Sequence, residues 1–68
     1  MKTLSGKEFC KMLEVKGWHL ARINGSQHIY AKPGSIVRIS VPVHANKSLK
    51  IGLQKAMMKS AEINESDL

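Results

Sequence analysis

Apolar positions near the start of the chain recur at helical spacing, with Phe9, Met12 and Leu13 forming one stripe. Ser5-Gly6-Lys7-Glu8 immediately precedes that stripe and has the form of a capping box. In such a box Ser5 accepts from the Glu8 N–H, and the Glu8 carboxylate reaches back to the Ser5 N–H. Leu4 and Phe9 then stand at the two ends of a hydrophobic staple. Gly17 predicts a left-handed cap that ends the first helix.

Three strand-like stretches follow, near residues 18–23, 27–32 and 36–41. Asn24-Gly25 is the strongest short hairpin signal, and a two-residue turn there pairs Ala21 with His28, Leu20 with Ile29 and His19 with Tyr30. For the second connection, register should follow the side that must be buried. That criterion selects a three-residue loop, Pro33-Gly34-Ser35, over a two-residue Pro33-Gly34 loop. The expected sheet has an apolar face of Trp18, Leu20, Ile29, Ala31, Val37, Ile39 and Val41. Its polar face carries His19, His28, Tyr30, Arg38 and Ser40.

Pro42 should stop the third strand, and a loop through His44 and Asn46 leads to a second helix near 50–61. Leu49, Leu53 and Met57 are spaced one turn apart and are expected to pack on the sheet. The order is helix, three antiparallel strands, helix, with both helices able to cover one apolar face. The fold class is therefore an α+β two-layer sandwich, a single domain over residues 1–68 with a frayed tail at 64–68.

Length limits the chemistry. A chain of 68 residues buries only about 60% of its unfolded surface, so an active site must be shallow and must use its substrate's own reactivity. No apolar run approaches the ~18 residues of a membrane span, and no apolar stretch follows Met1-Lys2-Thr3-Leu4-Ser5 as a signal peptide requires. Cys10 is the only cysteine. It cannot form an internal disulfide, which suits a reducing cytoplasm, and it reads as a small packed residue rather than a nucleophile.

The net charge is +6, which favours a polyanion or an acidic protein partner. No acid lies between Glu14 and Glu62, whereas eight Lys or Arg and all three histidines do. Lys55 and Lys59, four apart, repel one another on a helix by a few tenths of a kcal/mol, and Lys47 and Lys50 add to the same cluster. Imidazole is the side chain that exchanges protons near neutral pH, so His28, just past a tight turn, is the leading candidate for proton transfer. RNA supplies its own nucleophile, the 2′-hydroxyl, so one positioned base is worth roughly 10²–10⁴ in rate. Gly25 and Ser26 are turn residues whose N–H groups could meet a phosphate, and Arg22 and Arg38 are strand cations. Tyr30 either stacks on a base or fills the sheet surface. His19 and His44 stay open as polar-surface or phosphate-contact residues. Gaps of nine and sixteen between the histidines match no familiar metal-ligand spacing. No glycine-rich phosphate loop or other cofactor motif is present.

Two runs have a familiar form. Gly25-Ser26-Gln27-His28-Ile29-Tyr30, followed by Val41-Pro42-Val43-His44-Ala45-Asn46-Lys47-Ser48-Leu49-Lys50-Ile51-Gly52, resembles the HicA family of mRNA interferase toxins. The resemblance implies a double-stranded-RNA-binding-domain-like fold in α-β-β-β-α order. It implies an endoribonuclease that cleaves mRNA and is held inactive by a HicB-type antitoxin. The family's catalytic histidine, separated from the Gly-Ser pair by one residue, falls on His28. Many members have histidine where this chain has Gln27, proline where it has Ile51, and glycine where it has Glu62.

Three readings follow. The first is a metal-independent ribonuclease toxin with His28 as general acid or base and Gly25, Ser26, Tyr30, Arg22, Arg38, Lys47 and Lys50 toward RNA. The second is an RNA-binding module without chemistry, gripping RNA by shape and 2′-hydroxyl contacts. The third is a protein-interaction domain whose basic face meets an acidic partner.

Overall fold

A computed structural model describes all 68 residues. Helix α1 (Gly6–Val15) leads into strands β1 (His19–Asn24), β2 (Gln27–Ala31) and β3 (Arg38–Pro42), then helix α2 (Ile51–Ala61) and a 3₁₀ turn (Glu65–Asp67). The sheet is antiparallel in the order β1-β2-β3. Both helices pack on one of its faces.

Helix α1 forms as its sequence requires. The Glu8 N–H donates to Ser5 Oγ at 3.1 Å, and the Ser5 N–H donates to Glu8 Oε1 at 2.9 Å. These bonds hold the Glu8 carboxyl below its ordinary range. Leu4 and Phe9 close the staple, and both are buried. At the other end Gly17 has φ +94, the Gly17 N–H donates to the Glu14 carbonyl, and the Trp18 N–H donates to the Leu13 carbonyl. That is a Schellman motif, completed by the buried side chains of Leu13 and Trp18.

Helix α2 ends in the same way without glycine. Glu62 takes φ 58, its N–H donates to the Lys59 carbonyl, and the Ile63 N–H donates to the Met58 carbonyl. The buried Met58 and Ile63 supply the apolar contact. The core-facing residues of α2 are Gln54, Met57, Met58 and Ala61. Leu53, expected in the core with Leu49 and Met57, is instead 40% exposed. Gln54 takes the inward place because the N-terminal strap needs a polar anchor. Its Oε1 accepts from the Leu4 N–H at 2.9 Å, and its Nε2 donates to the Lys2 carbonyl at 2.8 Å.

The register differs from expectation at both hairpins. Asn24 pairs with Gln27, so the turn residues are Gly25-Ser26 rather than Asn24-Gly25. Only Gly25 has positive φ, +61, which is the pattern of a type II′ turn with glycine first. Leu20 pairs with Tyr30 and Arg22 with Ile29, so Ala21 is an extra residue in a bulge. Across the second hairpin Tyr30 pairs with Ile39 and His28 with Val41. Strand β3 begins at Arg38, which makes the preceding loop longer than three residues.

A one-residue slip turns every side chain over. Tyr30, at 2% exposure, therefore lies in the core with Ile39 and Val41, while Ile29 and Ala31 are on the helix-free face. Tyr30 wins the inward place because its ring fills the core and its hydroxyl still finds a partner. That hydroxyl donates to Glu14 Oε2 of α1 at 2.7 Å.

The tail folds back onto the domain. Residues 65–67 form a 3₁₀ turn, Lys16 Nζ meets Asp67 Oδ1 at 2.9 Å, and the N-terminal amine lies 3.7 Å from Glu65 Oε1. No helix is long and apolar enough to cross a membrane.

Candidate nucleic-acid interface and reaction centre

His28 stands two residues beyond the turn, opposite Ile23 on β1 and Val41 on β3. It shares its face with Tyr30, the face that carries the helices, and not the open polar face expected of it. It lies at the margin of the core rather than inside it. The residue is half-buried, and its ring makes no hydrogen bond to another side chain or to the backbone.

Pairing of β2 with the segment after β3 continues past the strand ends, since the Val43 N–H donates to the Ser26 carbonyl at 2.8 Å. The Gly25-Ser26 turn and the start of the Pro42–Lys50 segment therefore share one end of the sheet. The start of α1 covers that end. A Cβ on Gly6 would collide with the Pro42 carbonyl oxygen, so only glycine lets helix and strand approach so closely.

The Pro42–Lys50 segment turns sharply at His44. The Lys47 N–H donates to the His44 carbonyl at 3.0 Å, and Ala45 sits in the left-handed region at φ 50. That conformation is unfavourable for a non-glycine residue by about 1–2 kcal/mol, and such residues concentrate at functional sites. Two grooves flank the turn. One, of about 260 Å³, is lined by Pro42, His44, Lys47, Ser48, Leu49, Lys50 and Leu53. The other, of about 370 Å³, is lined by Ser5, Lys7, Glu8, Lys11 and Asn46. Lys7 and Lys11 were not singled out in the sequence. The only signal for them was their spacing of four, the same spacing that marks Lys55 and Lys59.

The remaining expected contacts lie elsewhere. Tyr30 is sealed, so it cannot stack on a base. Burial, then Glu14, then Cys10 raise its phenol above the ordinary tyrosine range. Arg38 faces away from His28 at the far end of the sheet, opposite Ala31, and its guanidinium donates to the Ser35 and Val37 carbonyls at 3.3 and 3.1 Å. Arg22, opposite Ile29, is also on the helix-free face. His19 pairs with Ala31, distant from the turn. Cys10 is buried, and burial raises its thiol, which leaves it unreactive at neutral pH.

The charges are unevenly used. Glu8 is held in its capping box, Glu14 by Tyr30, Glu65 by the N-terminus and Asp67 by Lys16. Of the eleven Lys and Arg, Lys16 alone is within 4.0 Å of a carboxylate, which leaves ten without one.

The family model described as the HicA toxin of bacterial toxin–antitoxin systems matches residues 6–63. The chain belongs to the HicA toxin family. No curated protein matches it. The match begins at Gly6, the residue pressed against Pro42, and ends at Ile63, which closes the second Schellman motif. It thus spans both helices, all three strands and every groove-lining residue but Ser5 of this HicA-family domain. Membership assigns the toxin role within a toxin–antitoxin pair, and with it an antitoxin partner.

Proposed function

We propose that this HicA-family toxin is a metal-independent endoribonuclease that cleaves mRNA in the cytoplasm, with His28 as its general acid or base. The observation that carries the reading is the place of His28. It is at the core margin, its ring is unbonded, and it stands two residues from a turn whose carbonyl is tied to the lysine-bearing 42–50 segment.

In this reading the 2′-hydroxyl gives up its proton, and the 2′-oxygen attacks the neighbouring phosphorus. The 5′-oxygen then leaves and is protonated. A 2′,3′-cyclic phosphate and a free 5′-hydroxyl result. His28 serves one of the two proton transfers and water the other. The N–H groups of Gly25 and Ser26 meet the reacting phosphate and offset the charge that builds in its transition state, while Lys47 and Lys50 hold the adjoining RNA backbone. A HicB-like antitoxin neutralises the toxin by covering this end of the molecule.

The test is RNA cleavage by purified wild type and His28→Ala in the presence of EDTA. Cleavage by the wild type alone is the expected result. Undiminished cleavage by a folded His28→Ala protein removes the assignment, and wild-type cleavage that stops with EDTA removes metal independence. Salt-sensitive binding with intact RNA in both samples would favour a binding module.

A further inference from the structure

The groove under His44 has features that neither the fold nor the proton transfer at His28 explains. Leu53 belongs by sequence to the stripe of Leu49 and Met57, yet it leaves the core and lines this groove at 40% exposure. Leu49 and Pro42 continue the apolar floor. His44, Lys47 and Lys50 rim it, and no carboxylate is among the lining residues. The turn that presents His44 is kept in a left-handed conformation at Ala45, against that residue's preference. An apolar floor with a cationic rim matches a ligand that has one flat apolar part and one anionic part. At about 260 Å³ the groove is just below the usual range for small-ligand clefts, enough for a single nucleotide unit.

We propose that this groove is a nucleotide subsite, in which Lys47, Lys50 and His44 take a phosphate while Leu53 and Pro42 take the adjoining base. The inference rests on the reading of RNA as substrate and adds a place for one specific unit of it. Position supports the role. Val43 is bonded to Ser26, and Ser26 is two strand residues, about 7 Å, from His28. A strand of RNA seated in the groove is thereby led toward the imidazole.

The experiment is an amide-resolved NMR titration of the whole chain with adenosine and uridine 5′-monophosphate. Inorganic phosphate and free nucleoside are run as separate arms. Both monophosphates are expected to shift the amides of residues 43–53, phosphate alone to shift the same amides more weakly, and nucleoside alone to shift only the amides around Leu53. Lys47→Gln with Lys50→Gln should weaken monophosphate binding about tenfold, the loss of one good charge-assisted contact. Leu53→Ala should weaken the monophosphates and leave phosphate unchanged. All three side chains are exposed, so the variants should retain the wild-type spectrum elsewhere.

Shifts spread evenly over all lysines, or unchanged affinity in the double-lysine variant, would overturn the subsite. An acidic peptide that moves residues 43–53 when the monophosphates do not would give the groove to a protein. The outcomes separate from those of the catalytic test. If His28→Ala still cleaves, catalysis is reassigned while a seated monophosphate keeps the subsite. If cleavage needs His28 and no monophosphate seats, the subsite alone falls.

Discussion

The hydroxyl of Tyr30, in the middle strand, donates to the Glu14 carboxylate on the last turn of α1 at 2.7 Å. This bond joins the sheet to the helix through a side chain that is otherwise sealed. Tyr30→Phe keeps the ring and removes the bond. With Glu14 exposed, the loss should be about 1 kcal/mol, seen as a lower urea midpoint at unchanged slope. RNA binding should not change, because the ring never reaches the surface.

The same residue sets the alkaline limit. The folded protein holds the Tyr30 phenol above its ordinary value of 10.0, and the Cys10 thiol above 9.0. A pKa raised by folding contributes stability that is complete below the ordinary value and is lost as pH rises through the folded one. Wild-type stability should therefore decline from about pH 9–10 upward, by at most about 1.4 kcal/mol per pH unit for each group. Tyr30→Phe should flatten the part above pH 10, which denaturant titrations between pH 8 and 11 would read. An equal decline in both proteins would assign the limit to other groups.

Gly6→Ala places a methyl group against the Pro42 carbonyl, and relief requires a backbone shift rather than a side-chain one. Overpacking of this kind is unfavourable by about 1–3 kcal/mol. In a domain of this size each kcal/mol lowers Tm by about 4–8 °C. Because Gly6 seats α1 over the Pro42–Val43 end of the sheet, RNA cleavage should fall further than the loss of folded protein accounts for. Calorimetry paired with cleavage rates at a temperature where both proteins are folded would separate the two effects.

Glu62→Gly should stabilise the protein. Glu62 adopts φ 58, a conformation that is unfavourable for side-chain-bearing residues by about 1–2 kcal/mol and free for glycine. The greater freedom of glycine in the unfolded chain returns part of that gain, so the net rise should be about 0.5–1 kcal/mol. A thermal midpoint at or below the wild-type value would contradict it.

The tail should loosen in acid. Lys16, then the Asn64 N–H, hold the Asp67 carboxyl below its ordinary value of 3.8. A depressed carboxyl contributes above the ordinary value, and the contribution is lost as pH falls through the folded one. Protection of the amides of residues 65–68 against exchange should therefore fall below about pH 4, and Asp67→Asn should show the lowered protection at neutral pH.

Much of this architecture can be read from local chemistry. Ser5 with Glu8, Leu4 with Phe9, and Gly17 each bring their partners within a few residues, so the sequence alone predicts how α1 starts and stops. The element order follows from the same signals. Register does not, because it depends on contacts distant in the chain. Asn24-Gly25 is a good turn signal, yet the Tyr30–Glu14 bond and the Ala21 bulge make Gly25-Ser26 the turn. With that shift, Tyr30 moves into the core and His28 moves to its margin, and Arg22 and Arg38 part from His28. Leu53 illustrates a second limit. Helical spacing places it inward, but Gln54 is needed there to hold the Leu4 and Lys2 backbone. The Ser26–Val43 bond that brings the Gly25-Ser26 turn to the 42–50 segment was not legible in the sequence.

The acids of this protein are almost all committed within the fold, while ten of its cations have no carboxylate partner. A polyanion that binds here therefore has no carboxylate to displace. It sets free the mobile ions condensed along its own backbone, and that release drives association more strongly as the medium becomes more dilute. The grip of the toxin on its target should thus vary with cellular osmotic state even when neither molecule changes shape.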